Sequence, residues 1–196
     1  MKTAKEERIF YNALDIYESA LQKEGWEIPK LLAQYLNSFL KGGELILDVG
    51  CGPGLVGMEL ANLGWQGKLI GTDIAEKRLC EAALKSSYTE CVQANVYRLP
   101  FKIKLFDIVT SSAMVGLTGP RSVLEMWRVL KTDGILACVA VELFDKSWSP
   151  ERFKKSLQLL ERFSSSKPLF KKDLGTGYTK SSYADEHYFL YIVQKY

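Results

Sequence analysis

The sequence has one histidine, His187, and four widely separated cysteines, so it offers few ligands for a metal ion. Structural zinc sites usually draw on pairs of cysteines or histidines a few residues apart, and no CxxC pair occurs here. We therefore expect no metal centre, and we expect free thiols rather than disulfides. His187 precedes an apolar run, which favours a structural residue at the beginning of an outer strand over a general base.

Long apolar runs and an excess of charge are also missing. No stretch approaches the roughly 18 apolar residues of a membrane span, and the charged N-terminal residues do not resemble a secretory signal. Lys and Arg number 26 against 23 Asp and Glu, and a net charge of +3 does not indicate a nucleic-acid partner. The 196 residues suit one domain with a full core. We expect a soluble, cytoplasmic, single-domain protein.

Apolar residues recur at helical spacing in residues 1–40 and then change to short continuous runs. Helical stripes span Ile9 to Leu21 and residues 31–39. Later helices include one that begins at Pro120 and carries the apolar residues Val123, Leu124, Trp127 and Leu130. Strands are predicted near residues 45–47, 68–73, 90–94, 106–110, 134–142, 169 and 188–193. This alternation predicts a mostly parallel sheet with helices on both faces and ligands at the carboxyl ends of its strands.

The segment after the first predicted strand is rich in glycine. Residues 52–57 match GxGxxG, which is typical of dinucleotide binding, and residues 48–54 match DxGxGxG. A carboxylate at Asp48, at the mouth of this loop, would repel a pyrophosphate and attract a ligand that carries ammonium and sulfonium groups. Glycines let the backbone approach such a ligand closely. The segment therefore favours S-adenosyl-L-methionine over NAD.

Five segments, in the expected order, resemble the class I S-adenosylmethionine-dependent methyltransferases. They are residues 48–54, Asp73, residues 94–101, residues 106–109 and residues 125–134. The resemblance implies a three-layer Rossmann-like α/β fold, with a mostly parallel seven-stranded sheet and an antiparallel C-terminal strand. It also implies S-adenosyl-L-methionine as the cofactor, with Asp73 on the ribose hydroxyls and Asn95 on the adenine. Asn95 stands where the family usually has Asp, which removes a charge-assisted hydrogen bond.

A closer resemblance lies at the N terminus. Phe10, Tyr11, Tyr17, Pro29 and residues 52–56 resemble the Williams–Beuren syndrome region methyltransferase-like proteins. This resemblance implies a helical lid over residues 1–40, a core over residues 41–196, and Tyr11 and Tyr17 near the donor. The residues predicted to bind the donor are Asp48, Gly50, Cys51, Gly52, Gly54, Asp73, Ile74, Asn95, Val96, Ser111, Tyr11 and Tyr17.

No catalytic residue is predicted, because methyl transfer from a sulfonium depends mainly on alignment of the reacting groups and exclusion of water. The Asn/Asp-Pro-Pro-Tyr/Phe and Pro-Cys motifs of nucleobase methylation are absent from the sequence. The predicted acceptor is therefore a small molecule or a protein side chain, methylated on oxygen, nitrogen or sulfur. Two alternatives stay open, a non-catalytic donor-binding module or partner subunit and, through GxGxxG, an NAD(P)-dependent oxidoreductase.

Overall fold

The structure, a computed structural model, describes residues 4–13, 19, 21, 23–85, 87–143, 149–164, 168–179 and 186–195. The helices are α1 (Ala4–Ala13), α2 (Ile28–Asn37), α3 (Leu55–Asn62), α4 (Glu76–Leu84), α5 (Pro120–Val129) and α6 (Pro150–Ser164). The strands are β1 (Leu45–Val49), β2 (Lys68–Asp73), β3 (Glu90–Gln93), β4 (Phe106–Val115), β5 (Leu130–Leu143), β6 (Pro168–Gly175) and β7 (Glu186–Gln194).

The strands form one seven-stranded sheet in the order β3-β2-β1-β4-β5-β7-β6. Strands β1 to β5 pair in parallel, and β7 runs antiparallel to both of its neighbours, β5 and β6. The predicted sheet, with its single antiparallel strand near the C terminus, is confirmed. The strand order reverses between β1 and β4, which is where sheets of this type open a crevice for ligands.

Side chains alternate along each strand and fill a core on both faces of the sheet. Leu47 and Val109 pack toward α5 and α6, whereas Ile46 and Ile108 pack toward α2 and α3. Helix α2 belongs to the core, since Ile28, Leu32, Ala33 and Leu36 are fully buried. The lid predicted for residues 1–40 therefore does not extend to α2. Among the described residues, no helix combines the length and apolar character needed to cross a membrane.

The buried face of α5 agrees with the prediction at Val123 and differs from it at Leu124. Leu124 is 51% exposed, and the buried face consists of Val123, Met126 and Val129. Leu130 is buried as expected, but as the first residue of β5 rather than the last of a helix, because its backbone is already extended and it pairs with β4. Helical spacing alone does not show where the chain leaves the helix.

Arg128 of α5 joins two of the segments that carry the family resemblance. Its Nε and Nη2 atoms each donate to the Glu125 carboxylate at 2.9 Å, while Nη1 and Nη2 donate to the carbonyls of Phe101 and Leu99, also at 2.9 Å. Glu125 in turn accepts the Leu99 N–H at 3.0 Å. The planar fork of the guanidinium thus ties the loop before β4 to the helix after it.

The substitution Arg128→Lys is expected to lower the free energy of unfolding by about 1–3 kcal/mol, because an ammonium cannot reproduce a fork that serves a carboxylate and two carbonyls. Urea denaturation measures the loss. Arg121→Lys on the exposed side of the same helix is the control and is expected to change stability by less than about 0.5 kcal/mol. Equal losses in the two variants would contradict this role of Arg128.

Candidate functional site

A cavity of about 150 Å³ opens at the carboxyl ends of β1, β2, β3 and β4, where the strand order reverses. Its walls combine backbone of the glycine loop, polar groups after β2 and β3, and apolar side chains after β4. The lining residues described are Tyr11, Trp26, Val49, Gly50, Gly52, Thr72, Asp73, Ile74, Arg78, Ala94, Asn95, Val96, Ser112, Ala113, Met114, Leu117 and Thr118.

Every backbone N–H between residues 50 and 54 has an acceptor within the protein. The bonds run from Gly50 and Cys51 to the Thr72 carbonyl (2.7 and 2.9 Å), from Gly52 to Asp73 Oδ2 (2.9 Å) and from Gly54 to the Cys51 carbonyl (2.9 Å). Residue 53 is proline and has no N–H to offer. Dinucleotide sites hold a pyrophosphate with free N–H groups of such a loop. The bonding of residues 50–54 therefore disfavours a dinucleotide.

The carboxylate of Asp73 connects the loop after β1 to the end of β2. Oδ2 accepts the Gly52 N–H at 2.9 Å, and Oδ1 accepts the Ala75 N–H at 2.8 Å. Burial raises the pKa of Asp73, against the lowering effect of these hydrogen bonds and of the Arg78 guanidinium. Asp73 lines the cavity, and each carboxylate oxygen retains a further lone pair for a ligand hydroxyl. Its contact with the donor ribose stays a prediction.

Asp48 lies behind the glycine loop, not at its mouth, so the position that we expected for this carboxylate is corrected. It is fully buried in the central strand β1 and does not line the cavity. Oδ2 accepts the Tyr88 hydroxyl at 2.7 Å, and Oδ1 has no hydrogen-bond partner. Burial raises the pKa of Asp48 from its ordinary 3.8 to about 7, with the Tyr88 hydroxyl lowering it and the Asp73 charge raising it further.

Tyr88 is a residue that the sequence did not single out. Its ring fills the space left by three glycines, because a Cβ at Gly54, Gly57 or Gly71 would lie 2.8, 2.5 or 2.8 Å from ring atoms. Its hydroxyl also accepts the Gly57 N–H at 3.2 Å. The last glycine of GxGxxG is thus explained by packing against Tyr88. No local sequence pattern predicts this contact, because Tyr88 lies 31 residues from Gly57 and 40 from Asp48 in the sequence.

The residues predicted to bind the donor fall into three groups. The cavity is lined by Gly50, Gly52, Asp73, Ile74, Asn95, Val96 and Tyr11. It is not lined by Asp48, Cys51, Gly54 and Ser111, and Tyr17 lies outside the described residues. Ser111 is buried, with its hydroxyl bound to the Val49 carbonyl at 2.8 Å. Its neighbour Ser112 lines the cavity instead, and the buried Ser112 Oγ has no partner.

An irregularity in β4 explains this shift by one residue. The pairing of β4 with β5 slips between Ser111 and Val115, and Ala113 has a positive φ of 59°. A non-glycine residue in this conformation stores about 1 kcal/mol or more, and such strain often lies at functional sites. The bulge turns Ser112, Ala113 and Met114 together into the cavity wall.

Helix α1 covers the cavity from the other side. Tyr11 lines the cavity, and the neighbouring Asn12 accepts the Lys77 N–H at 3.1 Å, so α1 satisfies one of the free N–H groups at the beginning of α4. His187 lies on β7, away from the cavity lining, and its Nε2 contacts Asp173 Oδ1 at 2.6 Å. The described residues contain no group of three or more His, Cys, Asp or Glu side chains that could hold a metal ion.

Asp48 is expected to make stability depend on pH. Its pKa is about 7 in the folded protein and near its ordinary 3.8 when unfolded, so the folded state binds more protons between these values and loses stability as pH rises through them. Asp48→Asn removes this dependence. The free energy of unfolding of Asp48→Asn, relative to that of the unsubstituted protein, should increase from pH 5 to pH 7 and level off above.

Urea denaturation at several pH values measures this difference. Asp107→Asn is the control, because the Lys131 ammonium lowers the pKa of that carboxyl and keeps it ionised throughout this range. Its effect should be constant between pH 5 and pH 8. A constant effect of Asp48→Asn would show that Asp48 is ionised in the folded protein at all these pH values.

Gly57→Ala is expected to destabilise the protein by about 1–3 kcal/mol through overpacking against Tyr88, although alanine ordinarily stabilises a helix by about 1 kcal/mol. Asn62→Ala, at an exposed position of the same helix, should be neutral or slightly stabilising. Thermal unfolding compares the two variants. The substitution Tyr88→Leu should reduce the penalty of Gly57→Ala, and full additivity of the two changes would argue against the packing explanation.

Residues 47–138 match a family described as methyltransferase domain. An uncharacterized methyltransferase of Schizosaccharomyces pombe is 29% identical over 167 residues, which are 78% of this chain and 59% of that protein. Demethylmenaquinone methyltransferase of Symbiobacterium thermophilum is 35% identical over 138 residues, 66% of this chain and 53% of that enzyme. The chain thus spans little more than half the length of these relatives.

Among solved structures, the [4+2]-cyclase SpnF has the same fold, with a TM-score of 0.77 at 16% identity over 99% of this chain and 97% of that chain. The family match covers the glycine loop, Asp73, Asn95 and the bulge of β4, which supply most of the cavity lining, whereas Tyr11 and Trp26 lie outside the matched residues. The part of the chain over residues 47–138 is thus similar to a methyltransferase domain, and relatives named methyltransferase match the chain across most of its length.

Proposed function

We propose that this chain transfers a methyl group from S-adenosyl-L-methionine to a small-molecule acceptor. The support is one cavity with two different ends. The donor end, after β1, β2 and β3, presents the glycine loop, Asp73 and Asn95. The acceptor end, after β4, presents a mostly apolar wall. Donor and acceptor bound side by side in such a cavity would be aligned for an in-line displacement.

At the donor end, the side chains suit an adenosine. Asp73 would accept hydrogen bonds from the ribose hydroxyls, and Ile74 would cover a face of the adenine. Asn95 Oδ1 accepts the Tyr97 N–H at 2.9 Å and keeps a lone pair for the adenine amino group. Because Gly50 and Gly52 have no side chains, backbone atoms form this part of the cavity wall, and the methionine part of the donor can approach them closely.

Helix α1 acts as the lid in this proposal. Tyr11 closes one side of the cavity, and the bond between Asn12 and the Lys77 N–H places α1 over the beginning of α4. Because α2 is part of the core, the lid comes from the residues before Trp26. As part of the same proposal, we infer that this lid corresponds to the lid implied by the resemblance to the Williams–Beuren syndrome region methyltransferase-like proteins.

The reaction needs no covalent intermediate on the protein. A lone pair of the acceptor attacks the methyl carbon while the carbon–sulfur bond breaks and its electrons move to sulfur, which gives neutral S-adenosylhomocysteine. The methylated acceptor then releases its proton to solvent. The charged side chains among the described lining residues are Asp73 and Arg78, which both belong to the donor end. The protein's task is then to hold the reactants in line and to exclude water.

The name of one relative supports a small acceptor without identifying it. This relative is named demethylmenaquinone methyltransferase, a name that specifies a small molecule. The same fold in a [4+2]-cyclase means that fold alone does not establish methyl transfer, so turnover has to be measured.

Calorimetric titration with S-adenosylhomocysteine, S-adenosylmethionine and NAD tests donor binding. We expect both sulfur nucleosides to bind and NAD not to bind. Asp73→Ala should weaken S-adenosylhomocysteine about 10- to 100-fold, because it removes hydrogen bonds to a charged group. Glu76→Gln, on the exposed side of α4, is the matched control and should leave affinity unchanged. Binding of NAD alone, or unchanged affinity of Asp73→Ala, would overturn the donor assignment.

Release of S-adenosylhomocysteine over a panel of small acceptors tests the transfer itself. We expect turnover with at least one acceptor and loss of that turnover in Asp73→Ala at limiting donor concentration. Donor binding without turnover across a broad panel would favour a non-catalytic donor-binding module.

A further inference from the structure

Among the described lining residues of the cavity, two uncharged side chains each have a buried polar atom without a hydrogen-bond partner. These atoms are Nε1 of Trp26 and Oγ of Ser112. Ser112 belongs to the acceptor end, and Trp26 packs against the same core cluster as Ala113 and Leu117 of that end. A buried donor or acceptor left unpaired costs about 1–3 kcal/mol, and most such groups in native proteins are satisfied. Two of them in one wall therefore point to a ligand that completes them.

Trp26 is held firmly in this position. Its backbone N–H donates to the Leu21 carbonyl at 3.0 Å, and it forms an antiparallel bridge with Tyr178. The next N–H, of Glu27, donates to the Gly177 carbonyl at 2.9 Å. The segment after β6 thus fixes Trp26 in the wall.

Ser112 is positioned by the bulge of β4. The preceding hydroxyl, of Ser111, is bound to the Val49 carbonyl, whereas the slip in pairing and the positive φ of Ala113 place Ser112 in the wall. The nearby Thr118 hydroxyl is already satisfied by Ser122 Oγ at 2.6 Å and the Met114 carbonyl at 3.2 Å. Trp26 Nε1 and Ser112 Oγ therefore differ from the neighbouring hydroxyls of Ser111 and Thr118, which already have hydrogen-bond partners.

The chemistry of this end defines what it can accept. An indole nitrogen only donates, so its partner is an acceptor atom such as an oxygen. Ala113, Met114 and Leu117 make the surrounding wall apolar, and the charged residues among the described lining lie at the donor end. The guanidinium of Arg152, outside the lining, already donates to the Leu117 carbonyl at 3.4 Å. A carboxylate or phosphate bound here would therefore meet no cation among the described lining residues of this end, which is unfavourable.

We propose that the acceptor is an uncharged, largely apolar carbonyl compound whose carbonyl oxygen accepts the Trp26 indole N–H. The Ser112 hydroxyl supplies a second polar contact in the same wall. This assignment rests on the proposed methyl transfer, because it takes this end of the cavity as the acceptor site. It names a substrate class and a residue that determines specificity.

Matched probes test this assignment in the full chain saturated with S-adenosylhomocysteine. 4-Hydroxyacetophenone carries the carbonyl, 4-ethylphenol lacks it, and 4-hydroxybenzoate replaces it with a charge. By calorimetry, we expect the ketone to bind about 5- to 100-fold more tightly than 4-ethylphenol, because 4-ethylphenol would leave the buried indole N–H unpaired, and we expect the benzoate to bind most weakly. Equal affinities for the ketone and 4-ethylphenol, or no binding of any probe, would overturn the proposal.

Trp26→Phe keeps an aromatic ring but removes the N–H, so the preference for the ketone should disappear while S-adenosylhomocysteine affinity persists. Trp65→Phe is the control, because the Trp65 Nε1 donates to Glu44 at 3.0 Å and does not line the cavity. Retained ketone preference in Trp26→Phe would exclude the indole as the donor.

Nuclear magnetic resonance gives a readout that does not depend on the stability of a variant. With nitrogen-15-labelled tryptophan, the chain has four indole N–H signals, one for each tryptophan. The ketone, but not 4-ethylphenol, should shift the Trp26 signal downfield. Failure of S-adenosylhomocysteine to bind would overturn the proposed function itself, whereas normal donor binding with an unshifted Trp26 signal would overturn only the acceptor assignment.

Discussion

The hydrogen bond from the Gly52 N–H to the Asp73 carboxylate is the interaction on which the rest of the site depends. It joins the loop after β1 to the end of β2, and the same carboxylate binds the Ala75 N–H at the beginning of α4. The N–H groups of residues 50–54 already have acceptors within the protein. This side of the cavity therefore presents the Asp73 carboxylate and not a set of free N–H donors. Such a surface favours ligands that offer hydroxyl groups or positive charge and disfavours phosphates.

The reverse side of the loop is supported by a single aromatic ring. Tyr88 packs into the space left by Gly54, Gly57 and Gly71, and its hydroxyl connects Asp48 of β1 to the Gly57 N–H of α3. Close packing of this kind makes the loop rigid, since a single methyl group would displace the ring. The cavity side and the core side of the loop are thus fixed by different carboxylates.

The alternation of strands and helices predicted a mostly parallel sheet with helices on both faces, because hydrophobic periodicity is a local property of the sequence. Contacts between distant residues could not be predicted in this way. Asp48 and Tyr88 meet across 40 residues, and Trp26 is held by a turn that lies beyond β6. The cavity is lined by Ser112 rather than by the predicted Ser111 for another reason. A bulge with a left-handed Ala113 breaks the period-two alternation on which assignment to a face depends.

The two ends of the cavity differ in whether their polar groups already have hydrogen-bond partners within the protein. In residues 50–54 and Asp73 the polar groups are satisfied before any ligand arrives, so this end is preorganised and needs little rearrangement to hold a donor. At the acceptor end, Trp26 Nε1 and Ser112 Oγ are left unpaired in an apolar wall. A ligand lacking an oxygen at this place leaves them unpaired, and an enclosed polar group left without its partner rejects ligands more strongly than a missing apolar contact does. Under the proposed function, the two unpaired atoms would therefore determine which acceptors bind.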